Sequence, residues 1–216
     1  MNKSDRGLRI ALTGGMGCGK STAAGIFREL GFGVVESDVI VRELWETDAE
    51  VKEAAVKRWG EQIIEQGAGS GENEPGNLSS AIPISRHKVA EIVFADPKEL
   101  DWLEALLHPR VRARWAAALA AEPGRDWVVE IPLLFEKSLA SEFDYTLCIA
   151  SSPTLQANRL AARGLTPVAI AARQARQWPL REKIERADGV ALNDGSEEFL
   201  RRQIVRYATR LRESVI

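Results

Sequence analysis

The chain has 216 residues, 45% of them hydrophobic and 28% charged, with a formal net charge of −2. That is the balance of a soluble globular protein long enough to bury a real core, and it leaves no global basic field to attract nucleic acid or an anionic membrane. Cys18 and Cys148 are too few and too isolated for a disulfide framework, no window approaches 18 uninterrupted apolar residues, and Met1 to Gly7 lacks an apolar signal core, so reduced thiols in a cytoplasmic protein are expected.

Leu8 to Thr13 (LRIALT) is a short apolar run ending in glycines, the pattern of a buried parallel strand. Lys20 to Leu30 follows with helical spacing of Ala24, Ile26, Phe27 and Leu30, and Gly31 stands where a helix end favours a left-handed residue. Phe32 to Glu36 (FGVVE) predicts a second strand, which completes a βαβ unit. Val39 to Gln66 reads as one helix, with Ile40, Leu44, Val51, Ala55 and Trp59 as its buried positions. Gly67 to Asn77 is rich in Gly, Glu, Asn and Ser and predicts an exposed loop. Arg86 to Phe94 and Pro97 to Leu107 predict two more helices, and Pro109 suits the first turn of a third running to Ala121. Strands return at Trp127 to Ile131, Tyr145 to Ala150 and Val190 to Leu192; Leu155 to Arg163, Pro167 to Arg176 and Glu197 to Arg212 read as helices. An α/β core is thus interrupted by a helical stretch between its second and third strands. The tryptophans at Trp45, Trp59, Trp102 and Trp115 sit at helical core spacing and are read as packing.

The segment Gly14-Gly15-Met16-Gly17-Cys18-Gly19-Lys20-Ser21 fits G-x-x-x-x-G-K-[ST] at every fixed position, between a strand and a helix. Each residue type has a physical reason. The glycines Gly15, Gly17 and Gly19 permit torsions and close approach that a Cβ would block. Successive N–H groups, Cys18 included, then form an anion-binding nest at a helix N-terminus. Lys20 supplies a cation for the terminal phosphates, Ser21 a hydroxyl for Mg²⁺, and Thr22 a further donor. A low-pKa thiol at Cys18 is the alternative use of that position, and simple packing of a small side chain is preferred. Such a loop binds a nucleoside triphosphate without naming a reaction. The chain is short for a motor ATPase, and a phosphotransferase fits best, with a different small-molecule kinase or a non-catalytic nucleotide-binding module as rivals.

Beyond the loop, several segments resemble the dephospho-CoA kinase family. They are Leu12 to Thr22, Val34-Val35-Glu36-Ser37-Asp38 with Ile40 and Arg42, Leu106-Leu107-His108-Pro109, and Pro132-Leu133-Leu134-Phe135-Glu136. Arg159, Arg163, Gln177, Ala187-Asp188 and Asn193 follow in the family's order. Glu36 and Ser37 depart from the family's usual Asp-Ala-Asp, whereas Asp38 matches it. Arg163-Gly164-Leu165-Thr166 is one residue shorter than the usual segment.

The resemblance implies a three-layer P-loop kinase core with a five-stranded parallel sheet. It places the core at residues 1–39 and 122–216, a lid over ATP at about 155–178, and a helical acceptor-binding insertion at 40–121. It implies ATP and Mg²⁺ as cofactors and dephospho-CoA as the small-molecule partner, without nucleic acid, membrane or obligate protein partner. Asp38 becomes the candidate catalytic base, with capping of the Val39 helix as its other reading. Arg159 and Arg163, one helical turn apart, become clamps on the triphosphate; Lys20 and Arg163 join Asp38 as catalytic candidates, and Asn193 joins the nucleotide site. Arg86, His108 and Leu133 become acceptor contacts. Glu130 and Glu136 flank the Pro132-Leu133-Leu134 turn, and either could assist Mg²⁺.

Overall fold

The computed structural model describes residues 6–65 and 83–213. Five parallel strands form one sheet in the order β2-β3-β1-β4-β5: β1 (Arg9–Gly14), β2 (Gly33–Glu36), β3 (Trp127–Glu130), β4 (Tyr145–Ala150) and β5 (Gly189–Leu192). The register is continuous, with Leu12 opposite Glu130 on one side and Leu147 on the other. β1 and β4 are almost fully buried along their length, which is why they read as unbroken apolar runs and not as alternating ones. This is the α/β fold with a five-stranded parallel sheet expected from the sequence.

Two compact units divide the chain: Met1–Ser37 with Trp115–Ile216, and Asp38–Arg114. In the first, α1 (Lys20–Glu29) and the C-terminal helix α9 (Glu197–Glu213) cover the sheet. Ala23, Ala24, Ile26 and Phe27 of α1 and Leu200, Ile204 and Ala208 of α9 meet Ile10, Leu12, Val128, Leu147 and Ile149 in one core. Burying each large side chain there contributes roughly 1.5–3 kcal/mol. The last strand, β5, lies at the sheet edge, and two side chains of α9 service its outer backbone. Gln203 accepts from the Leu192 N–H at 2.9 Å and donates to the Leu192 carbonyl at 2.8 Å. One turn further on, the Tyr207 hydroxyl accepts from the Val190 N–H at 3.2 Å and donates to the Val190 carbonyl at 2.9 Å.

The helical stretch between β2 and β3 departs from the sequence expectation in two places. The single helix expected from Val39 to Gln66 is two helices, α2 (Ser37–Thr47) and α3 (Ala49–Trp59), followed by a short 3₁₀ turn over Gly60–Ile63. The break is at Asp48, whose extended backbone and carboxylate cap α3 by accepting from the Val51 N–H at 3.1 Å. Helix α4 (Arg86–Ala95) is as expected, but the two helices expected on either side of His108 are one, α5 (Pro97–Ala121), with Pro109 inside it. An internal proline removes one helical hydrogen bond and crowds the preceding turn. The helix continues because Leu103, Leu107, Val111, Trp115 and Leu119 form a buried stripe at four-residue spacing that crosses Pro109 unbroken. Glu99 of α5 accepts from Arg58 Nε at 2.9 Å and Nη2 at 2.7 Å, and from the Trp59 indole at 2.7 Å, which together hold its carboxyl down at about 2. Trp59 and Trp102 meet edge to face, ring centroids 4.9 Å apart. The Gly67 to Asn77 loop lies outside the described residues.

After β4 come α6 (Pro153–Ala162) and α7 (Pro167–Gln174), and then a short helix the sequence did not announce, α8 (Leu180–Arg186). The run Leu-Arg-Glu-Lys-Ile-Glu-Arg offers only two apolar residues, so its pattern is that of a solvated connector. Packing against the sheet creates the helix nonetheless, and it buries a lysine, Lys183, completely.

Candidate active site

β1 ends at Gly14, and the chain turns sharply before α1 begins at Lys20. Gly17 (φ 78°) and Gly19 (φ 87°) both adopt left-handed backbone, separated by Cys18. Such alternation turns successive N–H groups toward one side, the arrangement of an anion nest, and α1 adds its positive N-terminal end. Gly19 is doubly constrained: besides its positive φ, a Cβ there would run into Asn193 Nδ2. Lys20 folds back over the loop and donates to the Gly14 and Gly15 carbonyls at 3.3 and 3.2 Å. Ser21 and Thr22 are exposed in the first turn of α1.

The loop is braced from behind. Asn193, buried just past β5, donates to the Cys18 carbonyl at 2.9 Å. Arg159 of α6 donates to the Gly17 carbonyl at 3.2 Å, to the Ser151 hydroxyl at 2.8 Å and to the Asn193 carbonyl at 2.8 Å. The guanidinium therefore adds positive charge beside the loop while holding three neutral acceptors. Arg163 follows the last turn of α6 as its C-cap and is exposed; Gly164 (φ 78°) reverses the chain behind it. The two arginines thus have different surroundings. Cys18 is fully buried, and burial pushes its thiol up, against the hydrogen bond from the Ser151 backbone and the charge of Lys20. This agrees with the packing reading of Cys18 and not with a reactive thiol.

Asp38 is exposed in the first turn of α2. The helix starts at Ser37, so the alternative reading of Asp38 as its N-cap does not hold: the carboxylate is one residue inside. Ser37 is anchored by donating from its hydroxyl to the Glu130 carbonyl at 2.5 Å, which fixes the end of β2 against the end of β3. Leu133 is half-buried in the turn after β3. Arg86, exposed at the start of α4, and His108, half-buried in α5, belong to the unit Asp38–Arg114, which Asp38 opens. The structure gathers Gly15, Gly17, Cys18, Gly19, Lys20, Arg159 and Asn193 around one loop.

The two carboxylates left open by the sequence have distinct settings. Glu136 forms an ion pair with Lys183 at 2.8 Å and accepts from the Trp178 N–H at 2.8 Å. Glu130 closes β3 and is buried. Sequence reasoning missed Lys183, and it missed Ser151 and Gln156, which pin the β4–α6 junction through the Gln156 to Ser151 carbonyl bond at 2.7 Å. Nothing in their types or spacing distinguished them from surface polar residues. Among the described residues no group of three or more His, Cys, Asp or Glu could hold a metal ion, and no helix is long and apolar enough to cross a membrane.

The family model described as dephospho-CoA kinase matches residues 8–198. The chain belongs to the dephospho-CoA kinase family. A Thermosynechococcus vestitus dephospho-CoA kinase is 38% identical over 199 residues, covering 91% of each chain. A Thermus thermophilus protein of known crystal structure is 32% identical with a TM-score of 0.73, over 95% of this chain and 98% of that one. A dephospho-CoA kinase from Campylobacter jejuni superposes with a TM-score of 0.65 at 23% identity, over 96% of this chain and 98% of that one, a likeness of fold. Asn2-Lys3-Ser4-Asp5 spells the N-K-x-D pattern by which GTPases read guanine. It lies outside the described residues, and a GTPase is excluded by the dephospho-CoA kinase family match, not by the pattern.

Proposed function

We propose that the chain transfers the γ-phosphoryl group of ATP to the 3′-hydroxyl of dephospho-CoA, giving ADP and coenzyme A, the final step of coenzyme A synthesis. The observation that carries this reading is the braced glycine loop at the end of β1, in a chain of that family.

Phosphoryl transfer is chiefly positioning and neutralisation of charge on the migrating group. The backbone of Gly15 to Lys20 would cradle the phosphates, and Lys20, already hinged over the loop, would swing from the two carbonyls to the terminal phosphates. Arg159 holds the loop in shape and contributes charge from behind. Arg163, on the exposed end of α6, would meet the phosphoryl group from the other side as the segment 155–178 closes as a lid. Asp38 would accept the proton of the attacking hydroxyl. The donor set suits Mg²⁺: this ion prefers one or two protein oxygens completed by phosphates and water, and the exposed Ser21 hydroxyl would be such a ligand. When bound, Mg²⁺ would neutralise phosphate charge. The unit from Asp38 to Arg114 would contribute Arg86 and His108 to acceptor binding, and Leu133 is a further candidate contact. A cytoplasmic location without an obligate protein partner belongs to the same proposal.

The test is ADP release by the purified protein with dephospho-CoA, adenylate-type and sugar acceptors offered in parallel. Turnover with dephospho-CoA well above the others is expected. Preference for another acceptor would make it a different kinase on the same core, and ATP binding without any transfer would make it a nucleotide-binding module.

A further inference from the structure

Lys183 is 0% exposed, on a short helix whose other charged residues, Arg181, Glu182, Glu185 and Arg186, are all exposed. Its ammonium donates to the Pro132 carbonyl at 2.6 Å and pairs with Glu136 at 2.8 Å. Both acceptors belong to the turn that follows β3. The Glu136 oxygen that meets Lys183 also accepts from the Trp178 N–H, at the exit from α7 toward α8. Trp178 is held at its other end as well, since the Arg186 guanidinium of α8 lies 4.6 Å from its ring centroid. Leu180, at the start of α8, approaches Gly15 of the phosphate loop. A single buried pair therefore ties together three segments: the turn carrying Leu133, the helix seated by the loop, and the C-terminal end of the 155–178 segment.

A buried ion pair is an expensive way to stabilise a fold, because desolvating two charges costs about what their attraction returns. This one is not even fully satisfied: Glu136 Oε2 is buried with no hydrogen-bond partner among the described residues. What such a pair supplies is fixed relative geometry. We infer that Lys183 and Glu136 are positioning residues for phosphoryl transfer, setting the end of the lid segment against the β3 turn through the Trp178 amide and the Pro132 carbonyl. They do not touch the reacting groups. The inference deepens the kinase reading and rests on it.

The test separates positioning from stability by replacing the pair as a unit. Lys183→Met with Glu136→Leu removes both charges and all three contacts while keeping apolar volume, so the fold is expected to persist with a melting temperature near the parent's. kcat should fall about ten- to a hundredfold, the scale of a small misplacement of reacting groups, while the KM for ATP changes less than threefold. Hydrogen exchange at the Trp178 amide should accelerate. Lys183→Met with Glu136→Gln, which keeps an acceptor for Trp178, should recover part of kcat and of the protection, and it serves as the measurement if the first variant does not fold. Parent-like kcat together with parent-like exchange in a folded double variant would overturn the inference and leave the pair a packing feature. Should the parent itself fail to turn over dephospho-CoA, the kinase reading fails instead. The Trp178 exchange comparison then still decides whether the pair holds the segment.

Discussion

Asp38 places a carboxyl group in the first turn of α2, and the proposed mechanism gives that group a proton to accept. Asp38→Asn keeps the shape and removes the base, so kcat at saturating substrates should fall about 10²- to 10⁴-fold with ATP affinity preserved; an unchanged kcat would remove Asp38 from the chemistry. The thiols give a second prediction. Burial drives Cys148 from the ordinary thiol value of 9.0 up to about 12. A folded-state pKa raised in this way stabilises the protein below the unfolded value and loses that contribution as pH rises through the folded one. Stability should therefore decline between about pH 9 and about pH 12, more steeply in the parent than in Cys148→Ala, as read from melting temperatures across that range. At this scale the loop was legible because its fixed spacing leaves few alternatives for Gly14, Gly19, Lys20 and Ser21. Lys183 was not: among arginines and glutamates a lysine signals a solvated face, and only the fold reveals that it is enclosed. The family resemblance, not residue chemistry, brought forward Asp38, Arg163 and Asn193.

Helices and strands were legible wherever burial imposes one period over a whole element. β4 was read to the residue from Tyr145 to Ala150, and α1 and α9 nearly so. The failures are those where a local signal and a tertiary one disagree. At Asp48 a cap interrupts an apolar pattern that carries on through both α2 and α3. At Pro109 the local stop signal gives way to the buried stripe of α5. The Asp48 cap can be tested directly. Asp48→Ala removes the acceptor for the Val51 N–H and a carboxylate 3.7 Å from Arg110, and should lower stability by about 0.5–2 kcal/mol in urea unfolding. Loss of less than a few tenths would mean that α2 and α3 are separated by packing alone.

The strand order β2-β3-β1-β4-β5 could not be read from the chain, because pairing of β1 with β3 and β4 depends on contacts more than 100 residues apart. A parallel α/β sheet with its phosphate loop at a strand end was readable; the bracing of that loop by Arg159 and Asn193 was not. If 155–178 closes over the nucleotide, hydrogen exchange there should slow when ATP and dephospho-CoA are both present. Arg163→Ala should then reduce kcat about tenfold or more with little change in acceptor KM; no change in exchange and a defect confined to acceptor KM would count against a lid. The backbone contacts of Gln203 and Tyr207 have a consequence for the molecule in company. A parallel sheet ending in a bare strand is a template on which another chain can crystallise its own strand. Here the C-terminal helix presents Leu192 and Val190 with a counterfeit neighbour, two side chains offering donor and acceptor in the places a strand would. A second copy must displace both before it can extend the sheet. Gln203→Ala with Tyr207→Phe should accordingly shift the melting temperature little yet raise light scattering on prolonged warming, and a double variant that stays as clear as the parent would show that β5 needs no such guard.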